Sequence, residues 1–246
     1  MRAQRAEHLH WFEKSGDARA ISDDRNLDHF HHFNGFEVLK EMSFRDCLEV
    51  GAGAFTNTRL LGRVTHIERL TVLDPMAETY FSHSESYFVE NSLVTVPPWP
   101  LIPKVWHYLG TLGKMVARRI FGAVPLKEVV SAPAEQGFGS HVYDLVVMVN
   151  VLEHCRDATS VLDNVFAALK PGGFLVFSDK LYPLDGIVSG LTRLYDVAHP
   201  LRISREYVRS VIDKHKIIFE SEVVDPVSEF FSGTTESYFI LQKSAS

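Results

Sequence analysis

The stretch Leu48–Leu61, LEVGAGAFTNTRLL, decides the fold. An apolar run, Cys47-Leu48-Glu49-Val50, stops at Gly51-Ala52-Gly53, and Thr56 and Thr58 follow as candidate openers of a helix. A strand that ends at two glycines and turns into a helix builds a floor for a nucleotide-like ligand. Glycine permits the tight turn and lets a ligand meet the main chain with no Cβ between them. The helix start adds unpaired N–H groups. A dinucleotide fingerprint requires a third glycine three residues after the second. Thr56 stands there, preceded by a bulky Phe55. Glu49 would repel a diphosphate and attract a cationic amine. The stretch therefore favours an adenosine-like ligand with an ammonium group and no phosphate. A glycine pair also ends ordinary strands, so the rest of the chain must carry part of the decision.

The chain has 246 residues, 46% hydrophobic and 23% charged, which suits one soluble α/β domain with extra segments. A net charge of -6 disfavours a general nucleic-acid surface. Two cysteines, Cys47 and Cys155, make no disulfide framework, and a reducing, cytoplasmic setting is expected. The opening MRAQRAEHLHWFEKSGD lacks the apolar core of a signal peptide. No apolar run is long enough to span a bilayer.

Residues 1–45 read as an N-terminal helical cap, with Phe30, Phe33 and Phe36 as its packing face. Of the histidines at His29, His31 and His32, only His29 and His32 share a helix face, and a metal held there is the lesser reading beside plain packing. No metal site is expected in the chain. Strands then alternate with helices over residues 46–246: Asp46–Val50, Leu70–Leu73, Lys127–Ser131, Tyr143–Val149 and Phe174–Ser178. Ala158–Leu169 is an amphipathic helix closed by Lys170-Pro171-Gly172-Gly173, its lysine suited to the negative helix end. Ser204 caps a further helix. Lys216–Val224 and Ser237–Gln242 close the chain as an antiparallel edge hairpin.

An insertion at about residues 80–126 exceeds what one crossover helix needs. Within it, residues 104–121 carry Val105, Tyr108, Leu109, Leu112, Met115, Val116 and Ile120 at helical spacing, with Lys114, Arg118 and Arg119 mostly to one side. Three readings apply: a helix packed on the sheet, a lid over the acceptor pocket, or peripheral contact with an anionic membrane.

Read together, the motifs sit at the carboxyl ends of successive strands, where open α/β sheets bind ligands. Asp74-Pro75 ends the second strand about twenty residues after the glycines, placed for a carboxylate to accept both hydroxyls of a ribose. Ala134-Glu135 follows the third strand, and Asn150-Val151-Leu152-Glu153-His154 the fourth. The strings LEVGAGAFT, LDP, YDLVVMVNVLEH and LKPGGFLVFSD, in that order, resemble the class I S-adenosylmethionine (SAM)-dependent methyltransferases, type 11-like and of the small-molecule branch.

That resemblance covers roughly Asp46–Asp179. It implies an α/β, Rossmann-like seven-stranded sheet, mostly parallel, with helices on both faces and an antiparallel last strand. It also implies SAM as cofactor. Gly51, Ala52 and Gly53 would face its methionine part, Glu49 its amino group, Asp74 and Pro75 the ribose, Ala134 and Glu135 the adenine, and Asn150 the methionine end. Pro133 stands where the family often has an acidic residue for the adenine amine.

The activity implied is methyl transfer to a small-molecule or lipid-linked acceptor, at oxygen. A non-catalytic binding or regulatory protein that keeps the fold is the alternative. A base is needed only if the acceptor loses a proton. His199 is the first candidate and His154 the second, with Tyr182 and Asp179 behind them.

Overall fold

The computed structural model describes residues 24–53, 55–82, 86–95, 102–188, 197–224 and 233–245, with backbone alone at 24 and 102–111. In chain order the elements are α1 (Asp24–His32), β1 (Ser43–Val50), α2 (Thr58–Leu61), β2 (His66–Leu73), α3 (Ala77–Ser82), β3 (Phe88–Val89), β4 (Ser92–Val94), α4 (Ile102–Phe121), β5 (Ala123–Val130), β6 (Tyr143–Val149), α5 (Ala158–Ala168), β7 (Leu169–Tyr182), β8 (Ile187–Val188), β9 (Arg202–Ser204), α6 (Arg205–Ile212), β10 (Lys216–Val224) and β11 (Thr235–Gln242). Short 3-10 turns lie at Asn34–Leu39, Ala134–Gln136 and Leu152–His154.

The strands lie in the order β10-β11-β7-β6-β1-β2-β5-β4-β3. β5, β2, β1, β6 and β7 pair in parallel. β11 is antiparallel to both its neighbours. The seven strands expected are all present in this spine. Their side chains alternate between two cores. Cys47, Leu70, Val72, Leu145 and Val147 belong to one cluster, and Leu48, Val50, Val146, Met148 and Leu175 to the other. Residues one apart point to opposite faces, so a strand apolar throughout needs cover on both. α5 and α6 cover one face, and α2 with the Phe33–Phe36 turn covers the other.

The closing strands pair as the antiparallel edge hairpin expected. The last strand, β11, is inserted between β7 and β10, and β10 is outermost. Apolar residues on both faces of β11 (Tyr238, Phe239, Ile240, Leu241, all 0% exposed) require that interior slot. The insertion also does more than extend a crossover. Glu90-Asn91 turns a two-residue hairpin between β3 and β4, with Glu90 at φ +49°. β4 then pairs antiparallel with β5, which begins at Ala123, four residues before the expected Lys127.

Helix ends follow local chemistry. Asp157 caps α5 through a bond from the Ser160 N–H (3.1 Å), and Ser204 caps α6 through the Tyr207 N–H (2.9 Å). Lys170 does not serve the end of α5; it pairs with Asp144 at 2.8 Å. Lys243 takes that place, donating to the carbonyls of Phe166 (2.6 Å) and Leu169 (2.8 Å).

α4 presents its sides the opposite way from a packed helix. Gly113 and Ala117 are buried against the body, while Leu112, Met115, Val116 and Ile120 are exposed. Among the described residues no helix is long and apolar enough to cross a membrane.

Candidate active site

Between β1 and β6 the strand order reverses: β2 and β5 lie to one side, β7 and β11 to the other. Such a switch point leaves a crevice above the sheet. The loop after β1 and the turn after β6 form its two lips. Gly51 has φ +67°, and a Cβ there would meet Val151 Cγ2 of the opposite lip at 2.5 Å. Gly53 has φ +59°, and a Cβ there would meet nothing within 4 Å, because it faces the cavity. Thr56, where a dinucleotide fold would have its third glycine, also takes a left-handed conformation, φ +44°. It does not open the helix: Asn57 is the cap residue, and α2 begins at Thr58.

Glu49 is 1% exposed and is not among the residues that line the cavity. Its carboxylate accepts from the N–H groups of Asn57 (2.6 Å) and Thr58 (3.2 Å), fastening the glycine loop to the start of α2. Burial pushes its carboxyl up to about 7, and those bonds offset only part of that. The geometry thus gives Glu49 a role beneath the loop.

A cavity of about 900 Å³ fills the crevice, and Gly51, Ala52, Gly53, Asp74, Pro75, Ala134, Glu135 and Asn150 all line it. Asp74 accepts from the Gly53 N–H (3.1 Å) and from the Met76 N–H (2.7 Å). Ala134 is held by Asn164, whose side-chain amide donates to the Ala134 and Glu135 carbonyls (3.0 and 3.1 Å). Glu135 accepts from the Arg156 N–H at 2.7 Å. Asn150 sits at φ +58°, its N–H bonded to the Ser178 carbonyl (2.7 Å).

The turn after β6 is pinned from below. Asp179, on β7, accepts from the N–H groups of Val151 (3.0 Å) and Leu152 (2.7 Å). Burial, then the charge of Glu153, holds its carboxyl above the usual range. Glu153 is 4% exposed and lies 3.7 Å from His199 Nε2. The Tyr182 hydroxyl donates to its other oxygen at 3.4 Å, so Tyr182 and Asp179 both serve as supports here.

His154 lines the cavity; His199 stands behind it, ring centroids 4.6 Å apart. His154 Nδ1 lies 3.0 Å from the Ala198 carbonyl, which fixes the tautomer with the proton on Nδ1 and leaves Nε2 as the basic nitrogen, 3.4 Å from the Asn150 amide. Arg202 donates to the His199 carbonyl (2.7 Å) and secures that loop. Glu153, His154 and His199 place one ligand-type atom each within 4.8 Å of one another, a set the sequence did not reveal. His29 Nδ1 meets the Tyr238 hydroxyl at 3.2 Å, and His32 faces Asp28.

The cap reaches the cavity as well, through Arg25, Asn26 and His29. Phe55, Tyr80 and Val197 add apolar wall. The sequence signalled Phe55 by its bulk beside the turn. Arg25 and Val197 come from segments without a motif.

Comparison with known proteins agrees with this geometry. A family model described as a methyltransferase domain matches residues 21–210. The chain belongs to the methyltransferase-domain family. Tenellin synthetase of Beauveria bassiana (strain ARSEF 2860) is 36% identical over 172 residues, 67% of this chain but 3% of the synthetase. The chain therefore matches a small part of a much longer protein. Among solved structures, the N-methyltransferase NodS from Bradyrhizobium japonicum WM9 in complex with S-adenosylhomocysteine has a TM-score of 0.56 at 14% identity, over 99% of both chains. The Burkholderia thailandensis 1,6-didemethyltoxoflavin-N1-methyltransferase has a TM-score of 0.52 at 13% identity, over 98% of this chain and 88% of that one.

The methyltransferase uses SAM as its methyl donor. The crevice suits that molecule: Gly53 leaves open the space a Cβ would occupy, and Asp74 offers a buried carboxylate.

Proposed function

We propose that this methyltransferase transfers a methyl group to an oxygen of a small or lipid-linked acceptor, with His154 removing the acceptor's proton. One observation carries the reading: a tautomer-fixed His154 at the cavity wall, backed by His199 and the buried Glu153. A hydroxyl must lose its proton to become a methyl ether, whereas a neutral amine need not do so before attack. A basic group at the wall therefore favours oxygen.

When bound, SAM supplies a carbon already activated by its sulfonium. This chain's residues then have three tasks. Asp74, Gly53, Ala134 and Asn150 bind and orient the donor. Phe55, Tyr80, Val197 and the cap residues exclude water and hold the acceptor in line. His154 Nε2 takes the proton, and the Glu153 carboxylate beside His199 stabilises the positive charge that results. His199 acts as a positioning residue behind it. The small-molecule class is supported by the similarity to a synthetase named for tenellin, and by a structural neighbour solved with bound 1,6-didemethyltoxoflavin.

The test is turnover with SAM over a panel of hydroxylated acceptors. His154→Asn is expected to lower kcat by about 10²–10⁴-fold while the affinity for S-adenosylhomocysteine, read by calorimetry, stays as in the wild type. Wild-type kcat in that variant, or methylation of amines alone, would overturn the assignment.

A further inference from the structure

We infer that the exposed side of α4 rests on an anionic lipid bilayer. Leu112, Met115, Val116 and Ile120 follow the spacing i, i+3, i+4, i+8 and so form one stripe. Their exposures are 67, 48, 46 and 67%. They are four of the eight large hydrophobic residues exposed in the described part of the chain, gathered on three turns of one helix. The side toward the body is made by Gly113 and Ala117 instead, which lets the helix lie close while its large side chains face out. A surface helix of a globular protein has the reverse arrangement.

Charge selects the occupant. The helix carries Lys104, Lys114, Arg118 and Arg119 and no acidic residue, in a chain whose net charge is -6. Arg118 meets Glu90 at 2.8 Å, but both are largely exposed, and such a pair yields readily to a lipid phosphate. An apolar stripe flanked by cations on a helix too polar to cross a membrane lies in the interface of an anionic one. A second copy of the chain fits worse, since stripe-to-stripe packing would bring these cations together. The inference is independent of the acceptor, because it concerns a surface away from the cavity lining.

Co-sedimentation with vesicles tests it without any turnover. The wild type is expected to pellet with vesicles of phosphatidylcholine and phosphatidylglycerol, to stay in solution with phosphatidylcholine alone, and to be released as salt rises. Leu112→Ser with Ile120→Ser, and separately Arg119→Glu, should each lower the bound fraction about tenfold or more. Affinity for S-adenosylhomocysteine measured on the same samples reports that each variant is folded, and the purely surface Arg119→Glu keeps the test intact if the double variant is not. The inference falls if the wild type ignores the anionic vesicles, if both folded variants pellet as the wild type does, or if the protein is a dimer that the stripe variants split without any lipid binding.

Discussion

Gly51 and Gly53 stand two residues apart and answer to different neighbours. Both have positive φ, so a side chain at either costs about 1 kcal/mol in backbone strain. At Gly51 a Cβ would also press on Val151 at 2.5 Å, forcing the two lips apart. At Gly53 it would extend into the cavity. Gly51→Ala is therefore expected to lower the thermal midpoint by several degrees, and Gly53→Ala to weaken SAM binding with a smaller loss of stability; thermal melts and calorimetry on both proteins check the contrast. The need for glycine at these positions is legible in the string itself. The function of Glu49 is not, because a carboxylate before a glycine reads equally as a ligand for an amine and as a cap for the helix beyond. Only the coordinates show it bonded to Asn57 and Thr58.

At the scale of elements, the turn carrying Asn150, Glu153 and His154 is held by Asp179 of the neighbouring strand. Asp179→Asn leaves one oxygen to accept and turns the other position into a donor facing an N–H. The expected cost is about 1–3 kcal/mol, with a fall in kcat larger than any change in the affinity for S-adenosylhomocysteine, since His154 shifts while the Gly51–Asp74 side stays. Denaturant melts and steady-state kinetics separate the two effects. The parallel strands were readable because runs such as DLVVMV are apolar throughout and bounded by turns. The β3–β4 hairpin was not: two and three residues are too few to show an alternation. The meeting of Glu153 with His199 was equally hidden, since it joins segments forty-six positions apart with no shared period (199 − 153). In α4 the helical spacing was visible, but spacing cannot say whether a stripe faces inward, and here it faces out.

For the molecule as a whole, two buried carboxyls tie stability to pH. Burial raises Glu49 to about 7, and burial with the neighbouring charge of Glu153 raises Asp179 as well. Between the ordinary carboxylate range and about pH 7, the folded state thus holds more protons than the unfolded one. Stability from these groups is full below the unfolded value and is lost as pH rises through the folded value. For Glu49 the swing is on the order of 3 kcal/mol. The thermal midpoint is expected to fall between about pH 5 and about pH 8, and Glu49→Gln should flatten that slope while lowering the midpoint overall, because its amide would face the Thr58 N–H. A wild-type midpoint that rises across this window would contradict the assignment.

The interior berth of β11 sets an order of assembly. Tyr238 on that strand is the surface against which His29, His32 and Phe33 settle, and His29 in turn walls the cofactor cavity. A chain emerging residue by residue makes the roof first and its foundation last. The donor's chamber is therefore finished only when the latest-made strand slides between two earlier ones, and a chain halted before Thr235 would carry every glycine and carboxylate of the site yet have nowhere to seat its cover.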